Sequence, residues 1–272
     1  MLFRSNMNTL TNGKIESFHI DVKTANFFGL HHAERLKEVL EIHLSDRSYR
    51  PKDDDLLSDW VASVTAPAFH ILAKEGFRAR DFCTIGTGAG LDALAAIEIL
   101  ESKNIFITDL HEDVVSLAAK NIVGNIRESD ILVATGTGDM ISPVVDANFR
   151  ADLLYENLPN IPIEVESDLH SGQNSSTFVA RRKENLPKFV SQHLLSLHFL
   201  MLKNARSILR PGGRILSSIG GRVPLEVILK LASATNYSGR ILAYTWKVQS
   251  EPEDVIGGYR SEEHTSELQS PS

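Results

Sequence analysis

The feature that most constrains this chain is a run of β-formers, Phe82-Cys83-Thr84-Ile85, that ends in Gly86-Thr87-Gly88-Ala89-Gly90 and passes at once into the apolar-periodic stretch beginning at Leu91. Three glycines at alternate positions between a strand and a helix describe a sharp strand-to-helix turn. Without Cβ atoms the backbone can turn tightly and come close to a ligand, and the unpaired N–H groups of the first helical turn point into the same space. In an open α/β sheet this corner is where a nucleotide-like ligand binds.

The surrounding chain has the composition of a globular protein, 42% hydrophobic and 23% charged over 272 residues, enough for one large α/β domain with an appendage. A net charge of −7 argues against nucleic acid or an anionic membrane as a partner for the whole surface, while leaving room for a local basic site. The single cysteine, Cys83, excludes an internal disulfide and fits a reducing compartment. No secretory signal and no run of about 18 apolar residues is present, so a soluble cytoplasmic protein is expected. Both ends look foreign: Met1–Ser5 and 260–272 resemble translated sequencing-library adapter, although a natural polar tail has the same composition. On the adapter reading the native protein continues past Tyr259.

Four blocks are expected: 1–5, an N-terminal helical layer at 6–78 on the substrate side, a ligand-binding domain at 79–259, and 260–272. In the N-terminal layer, Ile15, Phe18, Ile20 and Val22 alternate as in a strand. Ala33, Leu36, Val39, Leu40 and Leu44 recur at helical spacing over His32–Leu44. Leu56–Val64 and Pro67–Lys74 read as two short helices, with Pro67 in a first turn. Asp53 to Asp55 read as a solvated helix start rather than a metal site, and no metal is expected. From Asp81 onward strands and helices alternate with short turns: strands at 81–85, 105–108, 131–134, 152–155, 214–219 and 241–248, and helices from Leu91, Glu112, Phe189 and Val223. This is the pattern of a doubly wound, mostly parallel α/β sheet. Residues 163–187 are polar and irregular, a length at which a loop inside a domain is a lid or is mobile.

The ligand is narrowed by what the turn lacks. A dinucleotide fingerprint needs glycine at position 91, where Leu91 stands, and no Gly-Lys-Ser/Thr follows to make a P-loop. Asp109 ends the second strand, with Leu110 beside it, and Asp139-Met140 follows the third. Leu209-Arg210-Pro211-Gly212-Gly213-Arg214 turns into the fifth. Taken alone, Asp109 reads more commonly as a helix N-cap or solvated acid, and Asp139 as a loop acid. Together, residues 80–250 resemble the class I S-adenosylmethionine-dependent methyltransferases. The resemblance implies S-adenosylmethionine as cofactor, with Thr84, Gly86, Thr87, Gly88 and Gly90 against its methionine part. It also implies Asp109 accepting both ribose hydroxyls, as a carboxylate can, with Leu110 beside it at the cofactor and Asp139 and Met140 at the adenine. It further implies a seventh strand, antiparallel between the fifth and sixth, which the stretch from Gln249 to Tyr259 is too short and too broken by Pro252 and Gly257-Gly258 to supply. An open sheet slot is therefore expected.

The acceptor side rests on Tyr155-Glu156-Asn157-Leu158-Pro159-Asn160. This resembles the Asn-Pro-Pro-Tyr motif of methyltransferases that act on planar nitrogens, in which the Asn side chain and the carbonyl beside the following proline orient the target NH₂. Asn157 and Pro159 match, Leu158 replaces the middle proline, and Asn160 replaces the aromatic residue that stacks on the substrate. Tyr155, Phe178 or the N-terminal layer is expected to supply that aromatic face. Methyl transfer by direct in-line displacement to a planar nitrogen of a protein side chain or small molecule is the preferred reading. Glu156 as a base for a carbon or oxygen acceptor stays open beside it, with His170 and His198 as further candidate bases. A transfer-RNA guanine acceptor is suggested by Asn-Leu-Pro, but the only dense basic cluster is Arg181 to Lys183. A cofactor-binding protein without activity, and an NAD-type oxidoreductase, are the alternatives from other classes.

Overall fold

The computed structural model describes residues 18–45, 48–163, 178–180 and 182–248. Five parallel strands form the central sheet: β3 (Asp81–Ile85), β4 (Asn104–Asp109), β5 (Leu132–Thr137), β6 (Ala151–Glu156) and β9 (Leu209–Ser217), in the spatial order β5-β4-β3-β6-β9. The chain thus winds outward from β3 in one direction and returns to its other side at β6. That reversal is the topological switch point of a doubly wound α/β fold. Every residue of β3 is buried, as expected for a central parallel strand covered on both faces. Helices α3 (Leu91–Ile99), α4 (Glu112–Asn125), α5 (Ser142–Asp146) and α7 (Ser196–Ala205) make the crossovers and covers. The core falls into two clusters, one on each face of the sheet: Phe82, Leu153 and Tyr155 point to one, and Cys83, Leu154 and Met201 to the other.

The N-terminal layer differs from the sequence reading in more than one element: the strand signal over 14–28 ends at Lys23, and Thr24–Phe28 is a short helix, α1. The helix expected over His32–Leu44 is absent; Val39–Leu44 is a strand, β2, antiparallel to β1 (Phe18–Lys23). The helical spacing of Leu36, Val39, Leu40 and Leu44 hid an equally good two-residue alternation, and Leu40, Ile42 and Leu44 are the residues buried. Tertiary partners decide between them. Asn125 accepts from Glu41 N at 3.0 Å and donates to Glu41 O at 2.9 Å, and Asn121 does the same to His43 at 2.8 and 2.9 Å. The two amides, one turn apart on α4, act as a surrogate neighbouring strand.

A second clamp holds the loop before β2. All nine residues of α3 are buried, including Glu98, whose carboxylate accepts the backbone N–H groups of Glu34, Arg35 and Leu36 at 2.6, 3.0 and 2.9 Å. A buried acid is tolerated because these charge-assisted bonds replace its hydration. The helical part of the layer differs from the two separate helices expected at Leu56–Val64 and Pro67–Lys74. A 3₁₀ turn at Leu56–Ser58 and a wide turn at Val61–Thr65 lead into α2 (Ala66–Lys74), with Pro67 in its first turn.

Two expectations toward the C-terminus are corrected. The long helix from Phe189 breaks at Leu194, which takes φ 54°, giving α6 (Lys188–Gln192) and α7. Residues 241–248 are not a sixth strand. After α8 (Leu225–Ala234) the chain crosses to the N-terminal layer: Arg240 pairs with Glu75, Thr245 Oγ1 donates to Ser63 O at 3.1 Å, and Val248 N donates to Leu57 O at 2.9 Å. Strand β9 is consequently a sheet edge among the described residues. The adapter-like ends, the seventh-strand region and His170 lie outside the described residues. Within the expected lid, β7 (Ile161–Ile163) pairs in parallel with β8 (Phe178–Ala180). Among the described residues no helix is long and apolar enough to cross a membrane.

Candidate active site

Strand register sets the geometry. Ile85 is paired with Thr108 on one side and Glu156 on the other, so Gly86, Asp109 and Asn157 emerge side by side from three adjacent strands. They open into a cavity of about 1760 Å³ that also receives Leu110, Asp139, Met140, Pro159 and Asn160. The crevice at the carboxyl ends of β3 and β6 is the switch point itself.

The turn after β3 is held by its own backbone. Gly86 N and Thr87 N both donate to Thr108 O, at 2.9 and 3.1 Å, and Gly90 N closes back on Thr87 O at 2.9 Å. Gly86, Gly88 and Gly90 take φ of 72°, 51° and 84°, the left-handed region where a side chain is strained. At Gly90 space is also short: a Cβ would sit 3.2 Å from Ala118 O. At Gly88 a Cβ would meet nothing within 4 Å, so the cavity lies open there. Asn121 also reaches this turn, donating to Ala89 O at 2.9 Å, so one amide ties β2 and the glycine turn together.

Asp109 is aimed at the same turn. Its Oδ2 accepts from Gly88 N at 3.3 Å and its Oδ1 from His111 N at 3.4 Å. Burial pushes its carboxyl above the usual range, opposed by those backbone N–H groups. Leu110, next along, lines the cavity with an apolar side chain that is 58% exposed. Met140 also lines the cavity, with φ 47°. Asp139 is exposed and already engaged: Arg182 Nη1 and Nη2 donate to its two oxygens at 3.1 and 3.0 Å, and Arg182 also pairs with Glu184. The one basic-cluster residue placed here therefore has its charge matched by two acids. Arg181 lies outside the described residues.

Several predicted residues sit elsewhere. Thr84 is fully buried and does not line the cavity; its Oγ1 donates to Asp92 Oδ2 at 2.9 Å. Glu156 points to the opposite face from Tyr155, as alternation along β6 requires, and is buried against His198 Nδ1 at 2.8 Å. Neither Glu156 nor His198 lines the cavity, which corrects their reading as bases facing the acceptor. Tyr155 reaches the cavity wall but is committed to the core: its hydroxyl bonds Thr65 Oγ1 at 2.6 Å, its ring meets Phe69 edge-on at 5.5 Å, and burial pushes its pKa well above the usual value. It has no free face for a planar substrate. Phe178's side chain is outside the described part. Asn157, in contrast, is half-buried at the cavity and its amide makes no bond to a described residue.

Sequence reasoning missed Asp92, Trp60 and Tyr244, all of which line the cavity. Trp60 belongs to the N-terminal layer, where an aromatic face was expected; Lys247 Nζ stands 5.1 Å from its ring centroid.

No family model matches the sequence, and no curated protein matches it. Among solved structures, the ribosomal protein L11 methylase of Lactobacillus delbrueckii subsp. bulgaricus is similar at a TM-score of 0.43 and 15% identity, over 69% of this chain and 79% of that one. A methyltransferase from Pyrococcus furiosus gives 0.43 and 17%, over 70% and 76%. A SAM-dependent methyltransferase from Agrobacterium tumefaciens gives 0.44 and 14%, over 76% and 59%.

Proposed function

We propose that the chain is an S-adenosylmethionine-dependent methyltransferase whose acceptor is a planar nitrogen on a protein side chain or small molecule. The observation that carries this reading is the register at the switch point, which puts the glycine turn, Asp109 and Asn157 on three neighbouring strand ends facing one cavity. The residues fit the cofactor: Gly88 leaves its side of the turn open, Asp109 presents a carboxylate to a vicinal diol, and Leu110 offers an exposed apolar surface for an adenine. When bound, the cofactor supplies a methyl group on a sulfonium.

In this reading Gly86 to Gly90 fix the donor end, and Asp139 with Met140 takes the adenine edge. Asn157 accepts a hydrogen bond from the target NH₂ beside Pro159 and so aligns its lone pair. Such alignment supplies much of the rate in a displacement that needs little acid–base help. The carbon- or oxygen-acceptor reading loses support because Glu156 faces His198 rather than the cavity.

A thermal-shift comparison tests the class. S-adenosylhomocysteine should raise the melting temperature and NAD should not. No shift with S-adenosylhomocysteine refutes the proposal.

A further inference from the structure

Asp92 stands in the first turn of α3, immediately after the glycine turn, and lines the same cavity while only 9% exposed. Among the described residues its one side-chain partner is neutral, the Thr84 hydroxyl, and no lysine or arginine pairs with it. The charged groups that face it are acids. Asp109 approaches from the end of β4 and Asp59 from the start of the N-terminal helical segment, and the Tyr155 hydroxyl comes from β6. Asp59 is itself satisfied by the backbone N–H groups of Lys52, Val61 and Ala62, and Asp109 by those of Gly88 and His111. Asp92 has no such set. Burial first, and then the two acids, push its carboxyl up to about 7.

A second group nearby is also uncommitted. The Thr87 hydroxyl, on a residue 2% exposed that lines the cavity, has no hydrogen-bond partner among the described residues. A buried acid and a buried hydroxyl flanking one turn, neither with a protein cation, suit a ligand that brings its own positive charge. A neutral ligand would leave the acid protonated, whereas an ammonium converts the contact into a charge-assisted pair.

Resting on the methyl-donor reading, we propose that Asp92 is the subsite for the ammonium group at the amino-acid end of the cofactor, and that binding there expels a proton from Asp92 to solvent. The balance is simple: a carboxylic acid and an ammonium become a carboxylate–ammonium pair plus one released proton, and the ammonium keeps its own protons.

The test is titration calorimetry on the full chain between pH 5.5 and 7.5, in two buffers of different ionisation enthalpy. S-adenosylhomocysteine is compared with 5′-methylthioadenosine, the same nucleoside thioether without the amino-acid end. S-adenosylhomocysteine affinity should rise with pH, approaching about tenfold per unit well below the Asp92 transition, with proton release seen as a buffer-dependent heat. Asp92→Asn should weaken it by roughly 30-fold or more and flatten the slope, while leaving methylthioadenosine binding as in the wild type, which also reports that the variant is folded. Thr84→Val removes the one neutral donor and should move the transition to higher pH. A pH-independent wild-type affinity overturns the proposal. So does a slope that survives Asp92→Asn, since the titrating group is then not Asp92. If methylthioadenosine binds and the Asp92 effects are absent, only this assignment falls; if neither ligand binds, the methyl-donor reading falls and takes it along.

Discussion

The two sides of the switch-point crevice are built on different principles. On the β3–β4 side the backbone does the work: three left-handed glycines, two N–H groups on Thr108 O, and Gly88 N on Asp109 fix a turn whose shape hardly depends on side-chain rotamers. On the β6 side a side chain does it, since Asn157 offers an amide with no described partner, and the aromatic and charged groups that line the same cavity come from Trp60, Tyr244 and Arg182, far apart in sequence. A rigid half suits a ligand that is always the same. A half assembled from distant side chains suits one that sets specificity.

The largest effect should come from breaking the rigid half. Gly90→Val places a β-branched residue at φ 84° with its Cβ 3.2 Å from Ala118 O, and should cost about 2–3 kcal/mol of stability and abolish S-adenosylhomocysteine binding. Denaturant melts check this. A variant as stable as the wild type would mean that the turn can shift, against the contrast drawn above.

Next, Asp109→Ala and Asn157→Ala should separate the halves. The first should weaken S-adenosylhomocysteine by about 100-fold, from two charge-assisted bonds lost to a diol. The second should leave that affinity within about threefold while lowering methylation of a host extract by labelled cofactor about 100-fold. Unchanged turnover in Asn157→Ala refutes its assigned role, and a large loss of cofactor affinity in the same variant would erase the division between the sides.

The same contrast explains what could be read from the chain. Gly86, Gly88 and Gly90 were legible because a backbone conformation restricts residue type, and β3, β4 and β6 were legible because parallel strands buried on both faces are continuous apolar runs. Strand β2 was not, because Leu40, Leu44 and Leu36 fit two periods and the choice was made by Asn121 and Asn125, some eighty residues away. Residues 241–248 carry a strand-like pattern but spend it on the N-terminal layer, leaving Trp246 83% exposed. The direction of Glu156 was available from parity: Leu153 and Tyr155 share a face, so Glu156 takes the other. Glu98 and Asp92, acids on one buried helix, show why composition alone misleads. The first is satisfied by three backbone N–H groups from the distant loop 34–36, the second by one hydroxyl within the site and its own backbone N–H.

The smallest expected effect probes the border between the halves. Arg182 follows the stretch outside the described residues and holds both oxygens of Asp139, the acid assigned to the adenine edge. If adenine recognition uses that carboxylate, the guanidinium competes for it. The pair is bidentate, but Asp139 is exposed and Arg182 is shared with Glu184, so its strength is that of a surface ion pair, about 0.5–1 kcal/mol. Arg182→Ala should therefore tighten S-adenosylhomocysteine by roughly two- to fivefold, and the gain should shrink as salt screens the wild-type pair. Weaker binding in Arg182→Ala would reverse the assignment, making Arg182 part of the ligand's surroundings and Asp139 its support. The acceptor-side element would then reach across the crevice to the donor, and the two halves would no longer be separable by mutation.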